Sequence, residues 1–257
     1  MSALEAKDRG AALARDLAGL PGEMAILAEG NTSVRVLEES FVVKASGLSM
    51  RDLDTTGMSE VRFAPIRSAL EGPDLEDHQV REVLRAATCE GDRLPSVETF
   101  LHAVLLDQPG VEVVGHTHPP VLLSLLCRAD AESLASQRLF PDEIVCCGPR
   151  ACYVPYADPG LPLARAVREA VEAYRFAEGE PPRTIWMQNH GLIALGSGDR
   201  QVVAATWMQE KAARVWQGAL ASGGEVRTLD ENQVQRIWRR PDEHHRQRLL
   251  FEGGTSA

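Results

Sequence analysis

The stretch Val111-Glu112-Val113-Val114-Gly115-His116-Thr117-His118-Pro119-Pro120 decides how this chain is read. Its β-branched run predicts a strand over residues 111–118, and the Pro pair, with no N–H to give a ladder, ends it. Residues two apart on a strand face the same way, so His116 and His118 present both imidazoles to one point. That point lies at a strand end opening into a loop, where α/β proteins place ligands. Gly115 leaves room beside them. A His-x-His pair on its own fits a metal site or two satisfied histidines equally well.

Working outward, Ser96 is expected to cap a helix over residues 97–106, with Phe100, Leu101, Val104 and Leu105 as its apolar stripe. Glu98 then sits in the first turn, where free backbone N–H groups and the helix dipole favour its carboxylate form. It either stabilises the helix or faces the imidazoles. His102, one turn further on, reads as a supporting or structural residue and not a ligand. Downstream, residues 184–187 and 192–195 read as strands around a tight Asn189-His190-Gly191 turn, with Gly191 able to adopt positive φ. A bend is an odd place for a core histidine. Together, His116, His118 and His190 with an open fourth position match the donor set of a catalytic zinc site, with Glu98 as the adjoining carboxylate.

The remaining pattern alternates helices with short strands. Helices are expected at 4–18, 77–88, 121–127, 161–174 and 200–222. Strands at 32–37 and 41–45 form a hairpin through Glu38-Glu39-Ser40, and 145–154 is β-rich. No repeat or linker divides the chain, so residues 1–257 read as one α/β domain around a layered sheet. Two segments, Glu29-Gly30-Asn31-Thr32-Ser33 and Lys44-Ala45-Ser46-Gly47, offer backbone N–H groups, hydroxyls and an amide to an anion, or are plain turns. Neither has the glycine spacing of a nucleotide loop, and Ser46-Gly47-Leu48-Ser49 lacks a nucleophile elbow.

Composition narrows the function. At 257 residues the chain buries an ample core, so a metal would serve chemistry and not folding. A net charge of −10 argues against a nucleic-acid partner. The C-terminal arginines Arg236, Arg239, Arg240, Arg246 and Arg248 are diluted by Asp242 and Glu243 and read as a solvated helix face. There is no apolar h-region at the N-terminus and no membrane-length apolar run. Five cysteines without a Cys-x-x-Cys pair suit reduced thiols, so a cytoplasmic enzyme without membrane attachment is expected.

In order along the chain, Gly30-Asn31-Thr32-Ser33, Ser46-Gly47, Pro95-Ser96-Val97-Glu98 with His102, Gly115-His116-Thr117-His118-Pro119 and Gln188-Asn189-His190-Gly191 resemble the class II aldolase/adducin family. Its fuculose- and rhamnulose-1-phosphate aldolases are the type members. The resemblance runs from about Gly30 to Gly196. It implies a three-layer αβα fold with a central, largely antiparallel sheet, and a homotetramer with active sites between subunits. It implies Zn2+ or another divalent metal on His116, His118 and His190, with Glu98 as resting ligand and then base. It maps a phosphate site onto Gly30, Asn31, Ser46, Gly47 and Ser96. Two departures stand out: Val97 replaces a second serine of some relatives, and Phe140-Pro141-Asp142-Glu143 occupies the region of a proton-donating tyrosine. Asp142, or Glu143, is the substitute that the resemblance suggests, and the pattern is nearer the rhamnulose-phosphate branch. The implied activity is retro-aldol cleavage of a ketose phosphate or related sugar acid. The same family also contains 4-epimerases, dehydratases and decarboxylases, and non-catalytic adducin-like interaction modules.

Overall fold

Val113 and Val114 are neighbours in sequence and both fully buried, yet they belong to different cores. Only a strand covered on both faces does this. The computed structural model describes residues 1–36, 39–89 and 91–241. It opens with α1 (Ala3–Gly19), the hairpin of β1 (Asn31–Arg35) and β2 (Ser40–Lys44), β3 (Met58–Arg62), α2 (Phe63–Glu71) and α3 (Asp77–Ala87). Then come α4 (Thr99–Leu106), β4 (Val113–Thr117), α5 (Pro120–Leu126), α6 (Ala131–Ala135) and α7 (Pro141–Cys147). The last are β5 (Cys152–Val154), α8 (Leu161–Glu178), β6 (Thr184–Met187), β7 (Gly191–Gly196), α9 (Asp199–Ala221) and α10 (Glu231–Trp238).

The seven strands form one sheet in the order β3-β2-β1-β4-β7-β6-β5. Every pairing is antiparallel except β5 with β6. On one face Phe41, Val43, Val114, Ile193 and Leu195 pack with apolar residues of α2, α3, α4 and α8. On the other, Val34, Val42, Val113 and Ala194 meet α1 and α9, while Trp186 and Leu192 meet α5, α6 and α9. The result is the expected αβα arrangement with a largely antiparallel sheet. Gly115 serves this packing. A Cβ there would lie 2.7 Å from both Leu17 and Val202, so its smallness admits α1 and α9 and does not make room for the imidazoles on the opposite face.

The segment 145–154, read as β-rich, is corrected: Val145 to Cys147 end α7, and only Cys152–Val154 is strand. Pro141 at the first helical position loses no hydrogen bond there, and Asp142 and Glu143 sit favourably in the first turn. Those start signals outweigh the β-branched Ile144 and Val145. Strand β3 and helix α2 were not foreseen. Leu37, Glu38, Asp242, Glu243, Arg246 and Arg248 lie outside the described residues, while Arg236 lies in α10. Among the described residues no disulfide forms, and no helix is long and apolar enough to cross a membrane.

Candidate metal centre and active site

Strand β4 pairs with β7 so that His116 stands opposite Ile193 and Thr117 opposite Leu192. The end of β4 therefore lies beside the turn that leads into β7, and that turn carries His190. Asn189 takes the left-handed conformation there (φ 53°), which its short polar side chain tolerates. Positive φ was expected of Gly191 and falls two residues earlier. Gly191 must be small for another reason. A Cβ on it would lie 2.6 Å from the Thr117 carbonyl, 2.8 Å from the His118 ring and 3.1 Å from the His116 ring. The turn is tied down by His190 N–H donating to the Met187 carbonyl (3.2 Å) and Asn189 N–H to that of Leu126 (3.3 Å).

The three candidate imidazoles converge, with their ligand nitrogens all within 4.8 Å of one another. His116 Nδ1–H donates to the Leu192 carbonyl at 3.0 Å, which leaves Nε2 as a lone pair. That lone pair meets His118 Nε2 at 3.0 Å. His118 Nε2–H can donate to it, and the Glu29 carboxylate lies 3.8 Å from His118 Nδ1. A cation would take the place of that shared proton, and the donor set suits zinc. Burial pushes the pKa of His116 and of His118 down to about 4, which keeps both rings neutral as ligands must be. His190 faces Glu98 through Nε2, and its Nδ1 is buried with no hydrogen-bond partner.

Glu98 Oε1 lies 3.0 Å from His190 Nε2 and 3.7 Å from His116 Nε2. Burial alone would raise its pKa. The imidazoles of His116 and His190 and a hydrogen bond from Asn31 overcome that and hold the carboxyl well below the usual range. The expected helix start is corrected here. α4 begins at Thr99, Glu98 is its N-cap residue without a side-chain capping bond, and Ser96 Oγ accepts from the Glu98 N–H at 3.3 Å. Thr99 N–H reaches the Ser96 carbonyl at 3.0 Å, so the chain enters the helix through a tight turn that swings Glu98 to the imidazoles.

The two candidate anion segments also come together with the Ser96 loop. The buried Lys44 ammonium donates to the carbonyls of Ala28 (3.3 Å) and Leu48 (2.7 Å), and Ser46 N–H donates to the Leu94 carbonyl (3.1 Å). Ser46 and Gly47 are exposed there, whereas Gly30 is buried. Asn31 behaves differently from the anion donor expected. Its amide Nδ2 donates to Glu98 Oε2 at 2.5 Å, and its Oδ1 is held by His102 Nε2. Glu143 is 1% exposed, accepts from Leu139 N–H at 2.8 Å and lies 3.6 Å from Arg138, so it is committed inside its own chain. Asp142 is half-buried in the first turn of α7. The reading of single motifs missed Glu29 as a neighbour of His118 and Ser33 as a partner of His102. The period-2 spacing of Asn31 and Ser33 on β1 was the available signal for the second.

A family model described as the class II aldolase and adducin N-terminal domain matches residues 11–217. The chain belongs to the class II aldolase/adducin family. A curated relative, an uncharacterized oxidoreductase YuxG of Bacillus subtilis (strain 168), is 28% identical over 176 residues, 65% of this chain. The chain spans only 23% of that protein's length. Among solved structures, an L-fuculose 1-phosphate aldolase superposes with a TM-score of 0.68 at 17% identity, covering 91% of this chain and 94% of the other. YgbL from Klebsiella pneumoniae, a candidate aldolase/epimerase/decarboxylase, gives 0.68 at 20% identity, covering 92% and 99%. At these identities the superpositions speak for the shared class II aldolase fold.

Proposed function

We propose that this chain is a divalent-metal-dependent carbon–carbon lyase that cleaves a ketose phosphate or related sugar acid by retro-aldol chemistry. The observation that carries this reading is the convergence of three imidazoles on one point with a largely buried carboxylate beside it. His116, His118 and His190 would hold the metal, Zn2+ in our reading, with Glu98 as a fourth ligand in the resting state. Bound there, the cation supplies a Lewis acid for the substrate carbonyl and for the negative charge of the departing enediolate.

The protein's own groups handle position and protons. Retro-aldol cleavage removes a proton from the hydroxyl carbon's oxygen, breaks the adjacent carbon–carbon bond to release an aldehyde, and returns a proton to the enediolate carbon. Glu98, once displaced toward the substrate, is the base and donor at that carbon. Gly30, Ser46, Gly47 and Ser96 would receive the anionic end of the substrate through backbone N–H groups and hydroxyls. In a homotetramer, Asp142 of a neighbouring subunit would accept the hydroxyl proton during cleavage and return it in the reverse, aldol direction. The small-molecule substrate class, the cytoplasmic location and the tetramer rest on the family and on the site's chemistry.

A same-fold 4-epimerase, dehydratase or decarboxylase uses the same enolate chemistry, and the exposed Val97 where some relatives carry a second serine favours testing sugar acids beside phosphates. A non-catalytic, adducin-like role is disfavoured by the complete His and Glu set. Screening zinc-loaded protein against ketose 1-phosphates and sugar acids, with products identified by NMR, tests the reading. Release of an aldehyde supports it, whereas epimer, alkene or CO2 formation replaces it by the matching alternative. Protein that takes up no stoichiometric metal would overturn both. Light scattering tests the assembly: a monomer at micromolar concentration removes the neighbouring Asp142 from the mechanism.

A further inference from the structure

His102 is 0% exposed, and it is not among the converging nitrogens. It lies at the centre of a one-way chain of hydrogen bonds. Ser33 Oγ lies 2.7 Å from His102 Nδ1, His102 Nε2 meets Asn31 Oδ1, and Asn31 Nδ2 reaches Glu98 Oε2 at 2.5 Å. The chemistry of the donors orders this chain. An ionised carboxylate only accepts, so Asn31 must turn its NH2 toward Glu98. Its carbonyl oxygen then needs a donor, which puts the His102 proton on Nε2. Nδ1 is left as an acceptor, and Ser33 has the O–H to fill it. Reversing any member would leave two lone pairs or two protons in contact in a buried site.

We infer that His102 is a positioning residue, which with Ser33 locks the Asn31 amide so that it presents a donor to one oxygen of Glu98. The other oxygen stays aimed at His190 and His116. This rests on the reading of Glu98 as the base. Without the lock the amide could rotate its oxygen toward the carboxylate, and Glu98 would lose both its aim and a bond to its charged form.

Two measurements decide it. A long-range 1H–15N correlation spectrum of the wild-type protein should show His102 as the Nε2–H tautomer, with and without zinc. The Nδ1–H tautomer would overturn the inference whatever Glu98 does. The second uses zinc-loaded protein and dihydroxyacetone phosphate, the enediolate half of a ketose 1-phosphate, and follows its hydrogen exchange in D2O. His102→Phe should slow exchange about 10–100-fold, the usual range for a residue that orients a metal-site group, with KM and zinc affinity nearly unchanged. His102→Gln, which can still donate to Asn31, should recover most of the rate. In a Glu98→Gln background, His102→Phe should cost nothing further, because both act through one carboxylate. Equal losses in both backgrounds, or lost zinc in place of lost rate, would overturn the inference. Should His102→Phe not fold, Ser33→Ala carries the same cycle with a smaller loss. If Glu98→Gln exchanges normally, or the wild type does not exchange at all, the base or the aldolase reading falls, and the tautomer still decides for or against the His102 chain.

Discussion

Two glutamates lie in different parts of the molecule, both largely out of water, and they are handled in opposite ways. Glu98, 12% exposed at the strand ends, is surrounded by His190, His116 and the Asn31 amide, and its pKa falls well below normal. Glu143, 1% exposed in α7, has Leu139 N–H at 2.8 Å, the Phe140 N–H and Arg138 at 3.6 Å, yet burial outweighs them and raises its pKa. Arg138 gives little help because Nη1, its nitrogen nearest Glu143, donates to the Gln137 carbonyl, and Nε donates to that of Gly148. A buried carboxylate is thus kept ionised only where donors converge on it. The first arrangement suits a group that exchanges partners during a reaction, and the second suits one that fixes a corner of the fold.

Substitution should separate the two most sharply. Glu98→Gln keeps size and hydrogen bonding but removes the proton acceptor, so turnover on the substrate found by screening should drop about 10²–10⁴-fold. Three imidazoles remain, so bound zinc measured on the same preparation should stay close to stoichiometric. Full metal with near-normal turnover would remove Glu98 from the mechanism, whereas loss of both would make it an indispensable ligand. Glu143→Ala should show the reverse profile. It strands the Arg138 guanidinium and should cost about 3 kcal/mol in denaturant unfolding, while the folded fraction keeps its activity per mole. An activity loss without a stability loss would reopen Glu143 as a catalyst.

Acidity offers a second way to set the regions apart. Burial lowers the pKa of His102 and of His116 from 6.5 to about 4. Between those values the unfolded chain binds protons that the folded chain refuses. Stability of the metal-free protein should therefore fall as pH drops through that window, by about 1.4 kcal/mol per unit for each histidine. Glu143 has the opposite sign: its raised pKa contributes stability at low pH that is lost as pH rises. Denaturant curves of the chelator-stripped protein at neutral pH and near pH 5 test the balance, and equal stability at both would contradict the neutral, buried imidazoles. A third carboxylate gives the smallest effect. Glu29, 37% exposed, stands beside His118 Nδ1, so Glu29→Gln should weaken zinc binding about tenfold, the low end for such supporting groups, and leave turnover at saturating zinc intact.

The meeting of His116 with His118 and the layered sheet could be read from sequence because both follow from local period. His116 and His118 alternate with Val113, Gly115 and Thr117, and a strand period of two needs no knowledge of neighbours. The Asn189-His190-Gly191 turn was legible as a turn. Its positive φ at Asn189, and the crowding that excludes a Cβ at Gly191, depend on β4 lying alongside and could not be. Asn31 looked like an anion donor because its partner, Glu98, is far away in the chain. Ser96 looked like a helix cap because the pull of the imidazoles on Glu98 is a tertiary effect. The helix of α7 was hidden by Ile144 and Val145, although Pro141 marked its start. Strand β3 and α2 were missed; Pro65 sits in the first turn of α2, where no intrahelical N–H is needed.

The seam between β4 and β7 bears on how the protein folds. The His116 ring is held by the Leu192 carbonyl, 76 residues away in the chain, and His190 reaches the cluster only when these two strands have paired. Closing so long a loop is a late and entropically costly step. An ion therefore has no assembled site to join while the sheet is still forming, and it cannot act as a template. Zinc should leave the refolding rate unchanged and slow unfolding instead, in proportion to its affinity for the finished seam. Metal supply would then govern the lifetime of the folded molecule without governing how fast it is made.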